Sequence, residues 1–206
     1  MPGSTPGKPL QILHDKMISC RKCSQAGYRV HPGAIFSGVA SARVMIIGQA
    51  PGITEVEAGR PFNAGSGTRL FQWLGEAGVD EATFRKRQYM TSVTKCYPGK
   101  ASNGNGDRVP SKEEQALCRP FLKAEIELVD PALILPVGRL AINLFFPAKL
   151  PLKEIIGREL LVDDRWVVPL PHPSGASRWH QIETNQALIR QAMLCIQGHL
   201  ERLALI

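Results

Sequence analysis

Val44-Met45-Ile46-Ile47-Gly48-Gln49-Ala50-Pro51-Gly52 decides the architecture. Four consecutive apolar residues, three of them β-branched, read as a strand covered on both faces, and Gly48 ends it. A loop rich in Gly and Pro follows, and then Leu70, Phe71 and Leu74 recur at helical spacing until Gly78 stops the helix. The alternation continues downstream. Residues 89–94 read as a second strand, and Ser111 with Glu114 three residues on forms a capping box that opens a helix ending near Asp130-Pro131. Residues 132–137 give a third strand, 139–145 a short helix, 165–170 a fourth strand and 184–203 an amphipathic helix. Helices between strands imply parallel pairing with right-handed crossovers. The class is therefore α/β around a mainly parallel four-stranded sheet, whose ligand site should lie in the loops after the strands' carboxyl ends.

The rest of the chain adds limits. With 206 residues and 44% hydrophobic content, one core suffices, so residues 10–206 read as a single domain behind a disordered lead-in at 1–9 that is rich in Pro and Gly. No apolar run approaches bilayer length and no basic-then-apolar leader is visible, which points to a cytoplasmic protein without a membrane partner. An excess of 25 Lys+Arg over 18 Asp+Glu gives a formal charge of +7, a balance that favours polyanions.

Four of the five cysteines form a pattern. Cys20 and Cys23 stand two residues apart, and Cys96 and Cys118 bracket a long Pro/Gly/Asn-rich loop. In a reducing compartment such spacing suggests one metal site joining distant segments, and four thiolates would suit either zinc or an iron–sulfur cluster. Cys195 sits within a helical pattern and reads as a small buried hydrophobe.

Two loops after strands carry the candidate chemistry. Residues 48–62 place glycines at 48, 52 and 59 and prolines at 51 and 61, so backbone groups can be held facing a ligand. No Lys-Ser/Thr follows, which excludes a triphosphate-binding P-loop. The other loop is Pro171-His172-Pro173-Ser174-Gly175, where an imidazole between two prolines is aimed from the sheet edge.

These segments resemble the iron–sulfur uracil-DNA glycosylases of family four. Gly48-Gln49-Ala50-Pro51-Gly52 with Gly59 and Pro61-Phe62 is similar to that family's first motif, His172-Pro173-Ser174 to the superfamily's second, and the four cysteines match its cluster ligands in order. The resemblance implies a three-layer α/β/α sandwich and a [4Fe-4S] cluster on Cys20, Cys23, Cys96 and Cys118, with zinc as the less favoured occupant. It implies a monomeric DNA-repair hydrolase that extrudes uracil from DNA and cuts its N-glycosidic bond, leaving an abasic site. His172 would donate to the departing base, Phe62 would stack on it, and Gly48 and Ala50 would line its pocket. Ser174, Gly175 and Arg178 would contact DNA, helped by basic residues Lys95, Lys100 and Arg108.

Two positions depart from the family pattern. Gln49 stands where relatives carry a carboxylate; an amide can orient a water but cannot take its proton. If a base is obligatory, Glu55 or Glu57 would have to supply it. Ser92 stands where relatives use an asparagine to read the uracil edge, and Asn63 could supply a replacement amide. The alternative these departures allow is a sensor that binds damaged or abasic DNA with little or no turnover.

Overall fold

The computed structural model describes residues 7–102, 104, 106–175 and 177–206. A five-stranded sheet of order β2-β1-β3-β5-β4 forms the middle layer. Strands β1 (Val44–Gly48), β2 (Tyr89–Ser92), β3 (Leu133–Pro136) and β5 (Arg165–Val167) run parallel, and β4 (Leu160–Val162) pairs antiparallel with β5. Every residue of β1 is buried, as a central strand covered on both faces requires.

The alternation along β1 sorts the two outer layers. Val44 and Ile46 join the core beneath α4 (Ala64–Glu76), α5 (Glu81–Arg87) and α8 (Glu183–Arg202), with Leu70, Leu74, Phe84 and Ile196. Met45 and Ile47 join the opposite core beneath α1 (Lys8–Ile18), α6 (Lys112–Val129) and α7 (Arg139–Ile142), with Leu13, Met17, Leu122 and Ala141. The result is the expected three-layer α/β/α sandwich. The capping box of α6 forms as read, with the Ser111 hydroxyl accepting from the Glu114 amide and the Glu114 carboxylate from the Ser111 amide. Among the described residues, no helix is long and apolar enough to cross a membrane.

Three expectations need correction. The sheet has five strands, not four: Leu160–Val162 forms a hairpin with β5 through Asp163-Asp164, both with positive φ. Leu160 and Leu161 are exposed on this edge strand, so the inward-facing pattern that betrays a buried strand is missing. Lys8 and Pro9, expected in the lead-in, instead open α1, with Pro9 in the first turn where a missing N–H costs nothing. Residues 1–6 lie outside the described residues. Finally, the stretch 48–62 is not all loop. It contains α3 (Ile53–Ala58), opened by Gly52 and by Glu55, whose carboxylate reaches back to the Gly52 amide.

Candidate active site

A cleft of about 410 Å³ opens at the carboxyl ends of β1, β2 and β3 and beside the loop after β5. Gly48, Gln49, Ala50, Phe62, Asn63, Ser92, His172 and Ser174 all line it. Gly175 and Arg178 do not; both are exposed farther along the His172 loop. Among the described residues, the backbone N–H groups of Gln49 and Ala50 donate to no backbone carbonyl. Both residues line the cleft, so these donors are available at its wall.

The imidazole of His172 has a defined tautomer. Its Nδ1 accepts from the Ser174 amide at 3.2 Å and sits 2.9 Å from the Ser174 hydroxyl, so the ring proton belongs on Nε2. Burial, and then the nearby His180, push its pKa below the ordinary value. A neutral ring with an Nε2–H donor results. Behind it, Arg69 donates to Pro173 O at 3.3 Å and to His180 Nε2 at 3.1 Å, holding the loop from the core side. The ring also rests on Gly138, where a Cβ would lie 2.9 Å from His172 Cδ2.

Phe62 is held in an unusual backbone conformation. Its φ of 51° is rare for a residue with a side chain and costs about 1–2 kcal/mol. Compensating contacts surround it: Arg85 donates to Pro61 O at 2.9 Å and to Phe62 O at 2.8 Å, and Glu55 accepts from the Phe62 amide. Only a glycine fits at position 67, because a Cβ there would meet Phe62 O at 1.8 Å. The ring of Phe62 is thereby fixed as a wall of the cleft.

Several residues do something other than the sequence implied. Glu55 is not a solvated loop acid. It is half-buried and its two oxygens accept from the Gly52 and Phe62 amides, tying the loop's ends together; burial pushes its carboxyl up, against the opposing effect of those amides. Glu57 is exposed and does not line the cleft. The Asn63 amide is committed to Thr54 O at 3.2 Å and to Arg60 Nε at 3.0 Å, so it staples the loop. The Ser92 hydroxyl donates to Thr94 O at 2.7 Å and can only accept from a ligand.

Lys95, expected on a DNA-facing basic loop, is 2% exposed. Its Nζ lies 2.6 Å from Glu125 Oε2 and donates to Thr91 Oγ1 at 2.8 Å and to Ser92 O. The Glu125 contact is ionic and off the hydrogen-bond axis. Arg108 is likewise occupied, forked onto Glu114 with both distances at 2.6 Å.

A second hollow, on the α6 side, is lined by Cys20, Cys23, Cys96 and Cys118 together with Met17, Val30, Leu117 and Phe121. Burial and the neighbouring thiols push Cys23 up to about 11, and burial also pushes Cys96 and Cys118 up. Thiolates gathered here therefore need a positively charged body, and Arg21 and Lys95 supply part of the offset. Among the described residues no three His, Cys, Asp or Glu side chains converge on one ion-sized point. A single tetrahedral ion would require all four sulfurs about 2.3 Å from it. Four thiols lining one hollow are a donor set that suits a tetrahedral ion or an iron–sulfur cluster.

Fold and site together define an α/β protein with a cleft of about 410 Å³ at the strand tips and a four-thiol hollow beside it. The chain belongs to the uracil DNA glycosylase superfamily, whose model matches residues 36–193. It is 29% identical to a type-4 uracil-DNA glycosylase of Thermotoga maritima over 167 residues, covering 80% of this chain and 81% of that protein. It is 34% identical to a type-4 uracil-DNA glycosylase of Pyrobaculum aerophilum over 151 residues, covering 72% of this chain and 67% of that protein.

Proposed function

We propose that this chain is a monofunctional glycosylase that removes uracil extruded from DNA. The reading rests on one observation above all: a neutral Nε2–H donor on His172, the Phe62 ring and the free donors of Gln49 and Ala50 line one cleft. Its volume falls within the range of about 300–1,000 Å³ usual for small-molecule sites. A base inside a duplex is out of reach, so the nucleotide must swing into the cleft. Cleavage of the C1′–N1 bond leaves the electron pair on the base, and a fixed donor beside the developing oxyanion lowers that barrier. His172 supplies this donor without giving up its proton. Phe62 offers a stacking surface for the base.

The four thiols are assigned to a [4Fe-4S] cluster rather than zinc, on the likeness to the type-4 relatives and on all four lining one hollow. Such a cluster would cross-link α1–α2, the loop after β2 and α6; α2 is Lys22–Gln25. Ser174, Gly175 and Arg178 are assigned to the DNA backbone side of the site, with Ser174 doing so while its side chain holds His172.

The test is direct. Protein purified without air is incubated with uracil-containing and undamaged oligonucleotides, and the products are heated in alkali. Strand breaks only at uracil are expected, with salt-sensitive binding and a brown protein carrying about four irons per chain. A gel shift without alkali-labile sites would leave a binding protein in place of an enzyme, and colourless protein with one zinc would overturn the cluster.

A further inference from the structure

Hydrolysis needs a water held at the sugar face opposite the departing base, and a group to take its proton. Gln49 can do only the first. We propose that Asp107, from the loop between β2 and α6, is the carboxylate that receives the water's proton. The inference rests on the glycosylase reading above and supplies the base that reading leaves open.

Two carboxylates line the cleft, Glu55 and Asp107. Glu55 is engaged at both oxygens by the Gly52 and Phe62 amides, and protonating it would loosen the loop that frames the cleft. Asp107 is placed differently. Its Oδ1 accepts from the hydroxyl of Tyr97, a residue only 4% exposed, at 2.9 Å. Its segment is braced by an antiparallel backbone β-bridge between Lys100 and Asp107 and by the neighbouring Arg108 fork on Glu114. The other oxygen points across to the first-motif loop, because a Cβ on Gly52 would lie 3.2 Å from Asp107 Oδ2. A carboxylate pinned at one oxygen thus presents the other at the edge of the loop that bears Gln49.

The step balances without any further reagent. Water oxygen bonds to C1′ as the C1′–N1 bond breaks; that bond's electron pair leaves on uracil, as an anion stabilised by His172. The water's proton passes to Asp107 Oδ2 and from there to solvent. Gln49 orients the same water through its amide. Asp107 therefore divides with Gln49 a task that one carboxylate at position 49 could perform alone.

The experiment compares wild type, Asp107→Asn, Gln49→Glu and the double variant in single-turnover release of uracil from a single-stranded oligonucleotide. Asp107→Asn should slow the chemical step roughly 100-fold, the low end for removal of a general base, with oligonucleotide affinity and iron content unchanged. Adding Gln49→Glu should restore most of the rate. A rate within threefold of wild type for Asp107→Asn overturns the proposal. So does a loss that Gln49→Glu leaves in place, or one matched by weakened binding, since either would make Asp107 a structural loop residue. A wild-type protein that releases no uracil would bring down the glycosylase reading and this proposal with it, an outcome distinct from an active Asp107→Asn.

Discussion

Replacing His172 by alanine removes one preorganised donor and leaves the rest of the cleft standing. Its Nδ1 is held by Ser174 and its pKa is lowered by burial and by His180, so the ring donates through Nε2 as a neutral group. Loss of one such donor to a developing oxyanion costs about 10²–10³-fold in rate, or about 2.7–4 kcal/mol. The assay is single-turnover excision on a uracil oligonucleotide across a pH series. His172→Ala should fall by that factor with little change in affinity, while His172→Gln, which keeps an N–H, should lie between. The pH dependence is the sharper part. A neutral donor is fully formed above the ordinary histidine midpoint of 6.5, so the wild-type rate should not decline as pH rises past it. A rate that drops through the histidine range with rising pH would mean that the imidazolium is the working form, and the tautomer argument would be refuted.

Lys95→Met should leave the Glu125 carboxylate buried without its cation, a loss of about 3–5 kcal/mol. At about 2–4 °C per kcal/mol for a chain of this size, melting under anaerobic conditions should fall by roughly 6–20 °C, and Glu125→Leu added to it should recover most of that. A drop of a degree or less would show that the pair is not stabilising in context. Gly138→Ala forces a side chain into φ +83° and against the His172 ring, so excision should slow by about 100-fold, as expected of a misplaced catalytic group, with oligonucleotide affinity retained. An unchanged rate would mean that the ring can yield. Stability should also fall in acid. His14, His172 and His180 all have folded values below their unfolded 6.5, so the unfolded chain binds more protons; their contribution is fully present above 6.5 and is lost as pH falls through and below it. Glu55, raised in the folded state, works in the opposite sense at lower pH. Melting temperatures that climb between pH 7 and about 5.5 would contradict the histidine assignment.

Most of the sheet was legible because burial writes itself into composition. Val44 to Ile47 needs apolar residues on both faces, and so does Leu133 to Leu135, so these strands announce themselves. Edge strand β4 carries no such demand, and its turn is made by two aspartates instead of a glycine. The cleft residues His172, Phe62 and Gly48 could be found from loop chemistry and motif. Their supports could not. Arg69, Arg85, Glu125 and His180 act through contacts spanning 23 to 111 positions, a separation over which one sequence gives no register. Glu55 was recoverable: a glutamate three residues after Gly52 has capping-box spacing, and reading α3 from it would have removed Glu55 from the list of candidate bases. Asp107 carried no local signal at all, since a lone aspartate in a loop rich in Gly and Asn looks like a turn residue.

The thiol hollow and the base cleft are two sides of one short segment. Ser92 lines the cleft, Cys96 lines the hollow, and the intervening Lys95 reaches back to the carbonyl of Ser92 while its amide donates to Cys118 Sγ at 3.3 Å. Helix α6 closes the circuit, because it carries both Cys118 and Glu125, the partner of Lys95. Ion pairs as deeply buried as this one gain little in net stability over a well-packed apolar substitute, so stability alone does not explain the arrangement. Geometry does. A group bound by the four sulfurs would fix α6, α6 carries Glu125, and Glu125 with Lys95 holds the tip of β2, where the proposed function puts the base. Loss of the bound group should therefore act on the cleft through position rather than charge: affinity for uracil-containing DNA and discrimination against cytosine should decline together, before the fold itself is lost.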